Sequence, residues 1–324
     1  MNFAIDPSLP PALPADRHGS VVTVGTFDGI HRGHREVLRE IVRRAERGGR
    51  RSVAVSFHPH PLKMVRPADA PLLLTTLEEK KPILAESGLQ YAAFLPFTRV
   101  LQNYPARRFV EEILLGRMRM RELVIGHDHG FGRGREGSVE TMRELGAEFD
   151  FRVDVVEAVE VGSGAVSSSR IRRALQEGDV LEAALCLGRP YSFQGLVVPG
   201  SRRGRLLGFP TANLRVDPEK LLPLEGIYAV FASVAEARFP GLLHLGPRPT
   251  FAGEPPTVEV HLLDFSGDLY GRTLRVDLCA RLRGIEAFSV DSLVEQMHRD
   301  AAHGRAVLRG ERGPSACALP RTEL

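Results

Sequence analysis

Residues 25–34 read Gly-Thr-Phe-Asp-Gly-Ile-His-Arg-Gly-His and join an apolar run at 21–25 to a segment with helical periodicity. The run is rich in β-branched residues and ends at glycine, which favours a strand followed by a turn. The segment after the turn has its apolar residues on one helical face, namely Val37, Leu38, Ile41, Val42 and Ala45. The stretch therefore predicts a strand, a glycine-containing turn and a helix.

The same alternation of strand and helix continues over the first half of the chain. Strand-like runs recur at 53–57, 92–95, 123–126 and 153–156, and helix-like segments lie between them near 78–87, 106–115 and 138–147. Strands that alternate with helices at intervals of about 30 residues are typical of βαβ units. We therefore expect the first half of the chain to form an α/β domain with a parallel sheet.

A different pattern begins near residue 189, after two short predicted helices within 170–187. Short strand candidates punctuated by Gly and Pro follow at 193–198, 227–234, 242–246, 257–264 and 273–279. Short strands with frequent turn signals predict a small sandwich or barrel. We expect one of these two architectures in the second half, followed by a helix at 289–303. Residues 306–324 lack periodicity, and we expect a disordered tail there.

Composition narrows the classes of protein to consider. The 324 residues are 43% hydrophobic, and 43 basic against 40 acidic residues give a net charge of +3, which is too small a surplus to predict binding to nucleic acid. No apolar run approaches the roughly 20 residues that span a bilayer, and the N-terminus lacks a signal-peptide pattern. The three cysteines, Cys186, Cys279 and Cys317, are far apart and odd in number, so we expect neither a disulfide framework nor a CxxC metal site. We expect a cytoplasmic monomer or weak homo-oligomer.

Two histidines follow the first predicted turn. His31 and His34 are three residues apart at the predicted start of a helix, where unpaired N–H groups and the helix dipole favour a phosphate. Both rings can donate hydrogen bonds to one anion and stabilise the charge that grows on an α-phosphate during in-line attack. The alternative is a pair of surface histidines near a turn.

A second cluster of chemistry-bearing residues lies in the C-terminal half. Residues 200–213 are dense in Gly and Arg but do not contain the GxxxxGK(S/T) pattern of a P-loop. In the strand candidate at 257–264, Glu259 shares a face with His261 and alternates with valines. A carboxylate there can accept a proton from a substrate hydroxyl. The alternative is a surface ion pair with an arginine.

These segments carry a family resemblance that covers nearly the whole chain up to about residue 303. Residues 25–34 resemble the HxGH signature of nucleotidylyltransferases, in the form found in the adenylyltransferase half of prokaryotic bifunctional riboflavin kinase/FAD synthetases. Segments that resemble further motifs of this half are Phe57–Pro61, Leu74–Lys80, Gly126–Arg135 and Ser167–Arg172. Residues 200–213 resemble the riboflavin kinase motif GxxxGRxLGFPTAN, and residues 257–264 resemble the strand that carries the family's general base. The resemblance implies a Rossmann-like adenylyltransferase domain over 1–186 and a mainly antiparallel β-barrel kinase domain over 187–305.

The resemblance implies two reactions with ATP as co-substrate and Mg²⁺ as cofactor, namely phosphorylation of riboflavin to FMN and adenylylation of FMN to FAD with release of pyrophosphate. The catalytic residues that it implies are His31, His34, Arg172 and Glu259. The ATP- and phosphate-binding residues that it implies are Gly25, Phe27, Asp28, Gly33, Ser168, Ser169, Gly200, Gly204 and Arg205. The flavin contacts that it implies are His60, Asp128 and Arg283, and the implied Mg²⁺ ligands are Thr211 and Asn213.

The sequence also departs from the family pattern. His129 and Gly130 stand where the family usually has an aromatic or similarly bulky residue, and Gly284 and Ala287 replace the usual Pro and Lys. These departures leave two alternatives open. Either only one of the half-reactions is active, or the chain is a non-catalytic flavin-binding regulator.

Overall fold

The structure is a computed structural model of the full chain. It describes residues 11–14, 17–127, 130, 136–162, 164–200, 204, 207–248 and 256–319.

Within the described residues the chain forms two compact units. The first contains the residues up to Leu72 together with Lys80–Val166, and the second contains Leu73–Glu79 together with the residues from Ser167 onward. The strands up to residue 165 are β1 (Ser20–Val24), β2 (Arg51–His58), β3 (Tyr91–Pro96), β4 (Met120–Gly126), β5 (Arg152–Val156), β6 (Glu160–Val161) and β7 (Gly164–Ala165). The helices of this part are α1 (Arg32–Gly48), α2 (Pro61–Val65), α3 (Leu77–Ala85), α4 (Arg99–Gln102), α5 (Ala106–Phe109), which continues as the π-helical segment Val110–Arg117, and α6 (Val139–Phe149).

The first unit is built on a five-stranded parallel sheet in the order β3-β2-β1-β4-β5. Its central strand β1 is buried along its whole length, which explains why its sequence is β-branched rather than alternating. Side chains of α1 cover one face, and Val37, Leu38 and Ile41 pack there with residues of β1 and β2. The Rossmann-like α/β fold expected from the sequence is confirmed. The domain boundary at residue 186 stays a prediction.

The second unit is a closed antiparallel barrel in the order β10-β11-β12-β9-β8-β13. Its elements are α7 (Ser168–Gln176), α8 (Val180–Leu187), β8 (Ser192–Val198), β9 (Ala212–Val216), β10 (Gly226–Val234), β11 (Ala237–Gly246), β12 (Thr257–Leu262), β13 (Thr273–Arg283) and α9 (Val290–Leu308). The barrel and the C-terminal helix are confirmed. Strand β9 was not among the strand candidates, yet it closes the barrel between β12 and β8.

The C-terminal segment differs from the expectation. Helix α9 continues to Leu308, and Ser315 and Ala316 are buried. The expectation that no disulfide forms was wrong, because Cys317 is bonded to Cys279 of β13 across a sequence separation of 38 residues. Sequence spacing carried no information here, since folding alone brings the two Cα atoms to 4.8 Å. Cys186 is buried and not disulfide-bonded, and its Sγ donates to Glu182 Oε1 at 3.6 Å.

A short segment from the first half of the chain, Leu73–Glu79, is part of the second unit. The Lys220 side chain is fully buried, and its ammonium donates to the Leu74 carbonyl at 2.6 Å and to Glu79 Oε2 at 2.7 Å. The other oxygen of Glu79 accepts from the Gln194 backbone N–H at 3.1 Å. Since a buried charge is tolerated only when paired, Glu79 is required to neutralise Lys220.

We predict that Glu79→Ala destabilises the second unit by about 3–5 kcal/mol, because it removes the carboxylate that pairs with the buried Lys220 ammonium. Differential scanning calorimetry of the full chain measures the effect. The exposed neighbour Glu78 supplies the matched control, and Glu78→Ala should shift the transition far less. Equal shifts in the two variants would contradict the assignment of a buried ion pair.

Candidate active sites

The turn between β1 and α1 has an unusual backbone. Phe27, Gly29 and Ile30 have φ values of 47°, 85° and 41°. This left-handed conformation is easy for glycine but costs a residue with a Cβ on the order of 1–2 kcal/mol. Phe27 and Ile30 are almost completely buried in the core beside α1, and this packing offsets the cost. The core therefore holds the turn in a single conformation.

The turn leads directly into the two histidines. His31 is the N-cap of α1, and its Nδ1 accepts a hydrogen bond from the His34 backbone N–H at 3.3 Å. The two imidazole rings stack with their centroids 3.7 Å apart and an interplanar angle of 18°. Because Nδ1 of His31 is an acceptor, a neutral His31 ring carries its proton on Nε2 and can donate only from that nitrogen. The arrangement places two ring donors beside the unpaired N–H groups of a helix N-terminus.

The other residues predicted for this site lie in the same turn. Asp28 is 2% exposed. A Cβ on Gly33 would lie 3.2 Å from Cε1 of His31, and a Cβ on Gly25 would lie 3.3 Å from the Phe27 ring. Both glycines therefore permit a close approach of backbone and rings that a side chain would disturb. The structure brings the predicted residues of the first constellation together.

Helix α7 carries three further predicted residues. Its N-cap is Ser167, whose Oγ accepts from the Arg170 backbone N–H at 3.2 Å, so Ser168 and Ser169 begin the first turn. Arg172 follows one turn later and is partly buried. By their contacts these residues belong to the second unit and the two histidines to the first. Their joint role in adenylyl transfer stays a prediction.

Three other residues predicted as ligand contacts are His60, Asp128 and Arg205. His60 is the N-cap of the short helix α2, and its Nδ1 accepts from the Leu62 backbone N–H at 3.2 Å. This capping role accounts for one ring nitrogen without excluding a flavin contact. Asp128 and Arg205 lie outside the described residues.

The second unit contains a cavity that is lined by most of the residues predicted for the kinase reaction. Its polar lining includes Thr211, Asn213, His244, Arg248, Glu259, His261, Arg283, Glu286 and Asp300. Its apolar lining includes Leu207, Phe209, Ile227, Leu242, Leu243, Ile285, Phe288, Leu293 and Met297. A mainly apolar cavity with a few convergent polar groups is typical of a small-molecule site.

Glu259 is one of the polar residues that line this cavity. Its Oε2 accepts from Thr211 Oγ1 at 2.8 Å, and its Oε1 accepts from Thr257 Oγ1 at 2.9 Å and from Arg248 Nε at 2.6 Å. Burial alone would raise the pKa of Glu259, but the Thr211 hydrogen bond and the Arg248 charge outweigh it, so this pKa lies below its usual value. The group is thus an ionised carboxylate at neutral pH.

Register explains why these side chains meet. Glu259 of β12 pairs with Asn213 of β9 on one side and with His244 of β11 on the other. The alternation within β12 turns Val260 into the core and leaves Glu259 and His261 on the cavity side, as the sequence predicted.

The donor set fits a hard divalent cation. Thr211, Asn213 and Glu259 offer hydroxyl, amide and carboxylate oxygens, which Mg²⁺ prefers together with water and substrate phosphates. Asn213 Oδ1 accepts from Arg248 Nη2 at 3.3 Å. A Cβ on Gly200 would lie 2.2 Å from Asn213 Nδ2, so only glycine leaves room for that amide. At Gly204, a Cβ would lie 2.4 Å from the Phe209 carbonyl.

Arg283, predicted as a flavin contact, has a partner that the sequence did not reveal. Its Nε and Nη2 donate to Asp300 of α9, the latter at 2.7 Å, and Gln296 Nε2 donates to the same carboxylate at 2.8 Å. The guanidinium also lies 5.4 Å from the centre of the Phe288 ring. Arg283 therefore reaches the cavity in a fixed orientation.

The sequence reasoning missed Arg248 and Asp300 as site residues. Arg248 lies in a glycine- and proline-rich stretch, and Asp300 lies in an amphipathic helix among other charged residues. Neither carries a local signal, because each meets its partner only when the barrel closes.

We predict that His31→Ala lowers stability by about 1 kcal/mol, since it removes the N-cap acceptor of α1, whereas His31→Asn retains a capping oxygen and stays close to wild type. Thermal unfolding of the two variants measures this difference. Equal destabilisation by Ala and Asn would contradict the capping role of the imidazole.

Comparisons with known proteins cover both units. The FAD synthetase family model matches residues 13–170, and the riboflavin kinase family model matches residues 187–308. The bifunctional riboflavin kinase/FMN adenylyltransferase of Escherichia coli K12 is 37% identical over 296 residues, which cover 90% of this chain and 93% of the relative. The Bacillus subtilis protein of the same name is 33% identical over 288 residues, covering 87% and 90% of the two chains.

A solved structure has the same fold. A crystal structure described as a macrolide-efflux protein from Streptococcus pneumoniae superposes with a TM-score of 0.80 at 32% identity, covering 90% of this chain and 95% of the other. In the part of the chain that the structure describes, no helix has the length and apolarity needed to cross a membrane. Two matched domain models and relatives that align over nine-tenths of the sequence lead to one conclusion: the chain belongs to the family of bifunctional riboflavin kinases/FMN adenylyltransferases.

Proposed function

We propose that the two reactions of this family are divided between the two constellations described above. The second unit phosphorylates riboflavin to FMN with ATP, and the turn of the first unit serves the transfer of AMP from ATP to FMN. The observation that carries the proposal is the convergence, within each unit, of groups suited to its reaction. Stacked imidazoles lie at a helix N-terminus, and an ionised carboxylate faces an apolar cavity.

In adenylyl transfer, a phosphate oxygen of FMN attacks the α-phosphorus of ATP. The bond from that phosphorus to the bridging oxygen breaks, and pyrophosphate leaves with its electron pair. His31 and His34 stabilise the negative charge that builds up on the α-phosphate by donating hydrogen bonds, and the N-terminus of α1 adds its partial positive charge. Asp28 and the glycines are proposed to shape the turn around the nucleotide.

In phosphoryl transfer, the 5′-hydroxyl of riboflavin attacks the γ-phosphorus, and ADP leaves. Glu259 accepts the proton of that hydroxyl. Arg248 and Thr257 hold Oε1 of Glu259, which leaves Oε2 as the oxygen that faces the hydroxyl once Thr211 turns away from it. Bound Mg²⁺ would neutralise charge on the transferred phosphates, and Thr211 and Asn213 would hold it. Arg283, fixed by Asp300, is proposed to contact the flavin.

A cross-assay tests the division of labour in the full chain. His34→Ala and His31→Asn should reduce FAD formation by about 10²–10³-fold, the scale for loss of a preorganised donor, while FMN formation from riboflavin persists. Glu259→Gln should reduce FMN formation by about 10²–10⁴-fold while FAD formation from added FMN persists. Chromatographic separation of the flavins gives both rates in one sample.

The outcomes of this assay are distinct. Loss of both activities in every soluble variant would contradict the division between the two units. A wild-type chain that produces only FMN or only FAD would instead favour a single active half, and riboflavin that binds without reacting would favour a non-catalytic flavin-binding regulator.

A glycine variant tests the kinase cavity independently. Gly200→Ala should reduce FMN formation more than about tenfold, since its Cβ would displace the Asn213 amide from which it lies 2.2 Å. Gly284→Ala is the matched control, because its nearest neighbour is a side-chain nitrogen of Arg281 at 3.7 Å. A Gly200→Ala protein with the wild-type rate would show that Asn213 is not needed where the structure has it.

A further inference from the structure

Helix α3 carries a lysine where its packing favours an apolar residue. Lys80, Ile83 and Leu84 occupy helical positions i, i+3 and i+4 and form the buried side of the helix, with exposures of 7%, 6% and 2%. Ile83 and Leu84 pack in the same core cluster as Phe27 and Ile30. A leucine or methionine at position 80 would complete this stripe without the cost of removing an ammonium group from water.

Lys80 donates one hydrogen bond that accounts for a charged residue at this buried position. Its Nζ donates a hydrogen bond to the Thr26 carbonyl at 2.6 Å, and Ser56 Oγ donates to the same oxygen at 3.2 Å. All three residues belong to the first unit. The Thr26 carbonyl is part of the peptide group that precedes Phe27, so its orientation is coupled to the positive φ of Phe27. Through this hydrogen bond, Lys80 holds the peptide group between Thr26 and Phe27, at the point where the left-handed backbone of the turn begins.

The positive charge of Lys80 also interacts with the carboxylate of Asp28. Among the described residues no carboxylate forms an ion pair with it, and Asp28 is the acidic group whose charge acts on it. Burial lowers the pKa of Lys80, and the Asp28 charge opposes this only in part. Asp28 is itself buried in the turn that precedes α1, and its negative charge opposes the binding of a triphosphate there, so the positive charge of Lys80 favours that binding.

We infer that Lys80 is a positioning residue for adenylyl transfer, which orients the turn through the Thr26 carbonyl and offsets the buried charge of Asp28 next to the two histidines. The inference deepens the proposed function and rests on the role of His31 and His34 in it. Lys80 acts through the turn and does not need to touch substrate. The buried cation is retained at a cost in stability because the turn would otherwise present the imidazoles and helix N–H groups less accurately.

The decisive variant is Lys80→Met, which keeps the length and apolar body of the side chain but removes the charge and the hydrogen bond. We expect kcat for FAD formation from FMN to fall by about 10–100-fold, the scale of a small misplacement of reacting groups, with a smaller change in KM for ATP. We expect the unfolding temperature not to fall, since the desolvation of an ammonium is relieved. A purely structural lysine would lower both together.

Two controls accompany the Lys80→Met experiment. FMN formation by the same Lys80→Met sample reports whether the protein is folded and correctly quantified, and it should match wild type. Lys81→Met removes a charge from the exposed neighbouring position of α3 and should leave both activities unchanged.

A double-mutant cycle tests the shared carbonyl. Because Ser56 also donates to the Thr26 oxygen, Ser56→Ala alone should have a small effect, whereas Lys80→Met with Ser56→Ala should lose more FAD formation than the product of the single losses. Wild-type kcat in Lys80→Met, or parallel loss of FAD formation and of thermal stability, would overturn the inference. If the histidine variants keep FAD formation, the proposed function itself fails; if they lose it and Lys80→Met does not, only the role of Lys80 fails.

Discussion

Phe27 and Ile30 hold left-handed backbone conformations in the turn that leads from β1 into α1, and the first unit depends on this constraint. The turn sets the direction of the helix axis, makes His31 the N-cap and stacks its ring on His34. Burial of both side chains offsets the backbone strain, so the sheet core and the site geometry cannot vary independently. Strain of this kind at a turn is typical of sites whose groups must be preorganised.

In the second unit, strand register rather than a turn positions the side chains of the candidate site. Antiparallel pairing places Asn213 opposite Glu259, and the alternation of β12 keeps the carboxylate on the cavity side while the next residue, Val260, packs in the core. Arg248 and two threonines then satisfy the buried charge. Both units therefore place charged or hydrogen-bonding groups at the edge of a well-packed core, where the low dielectric strengthens each interaction.

Much of this could be predicted from particular residues. The β-branched run at 21–25, the glycine turn and the periodic segment after it correctly predicted β1 and α1, and the alternation around Glu259 correctly predicted its face. Strand β9 escaped detection because Asn213 and its neighbours were interpreted as a ligand motif. The bond between Cys279 and Cys317 was missed because the reasoning used spacing along the chain, which does not limit distance in space. Lys80 was noted only as part of a motif, since the sequence does not show that its helical stripe is buried.

The sequence by itself determined which residue types are available and their local order, because helical and strand periodicity, turn chemistry and motif spacing are short-range properties. Tertiary structure alone decided which charges neutralise each other: Arg248 with Glu259, Asp300 with Arg283, and Glu79 with Lys220, the last across 141 residues. Such pairs form only after the backbone has excluded water from both partners. Until then each charge is solvated and the sequence gives no reason to prefer one partner over another.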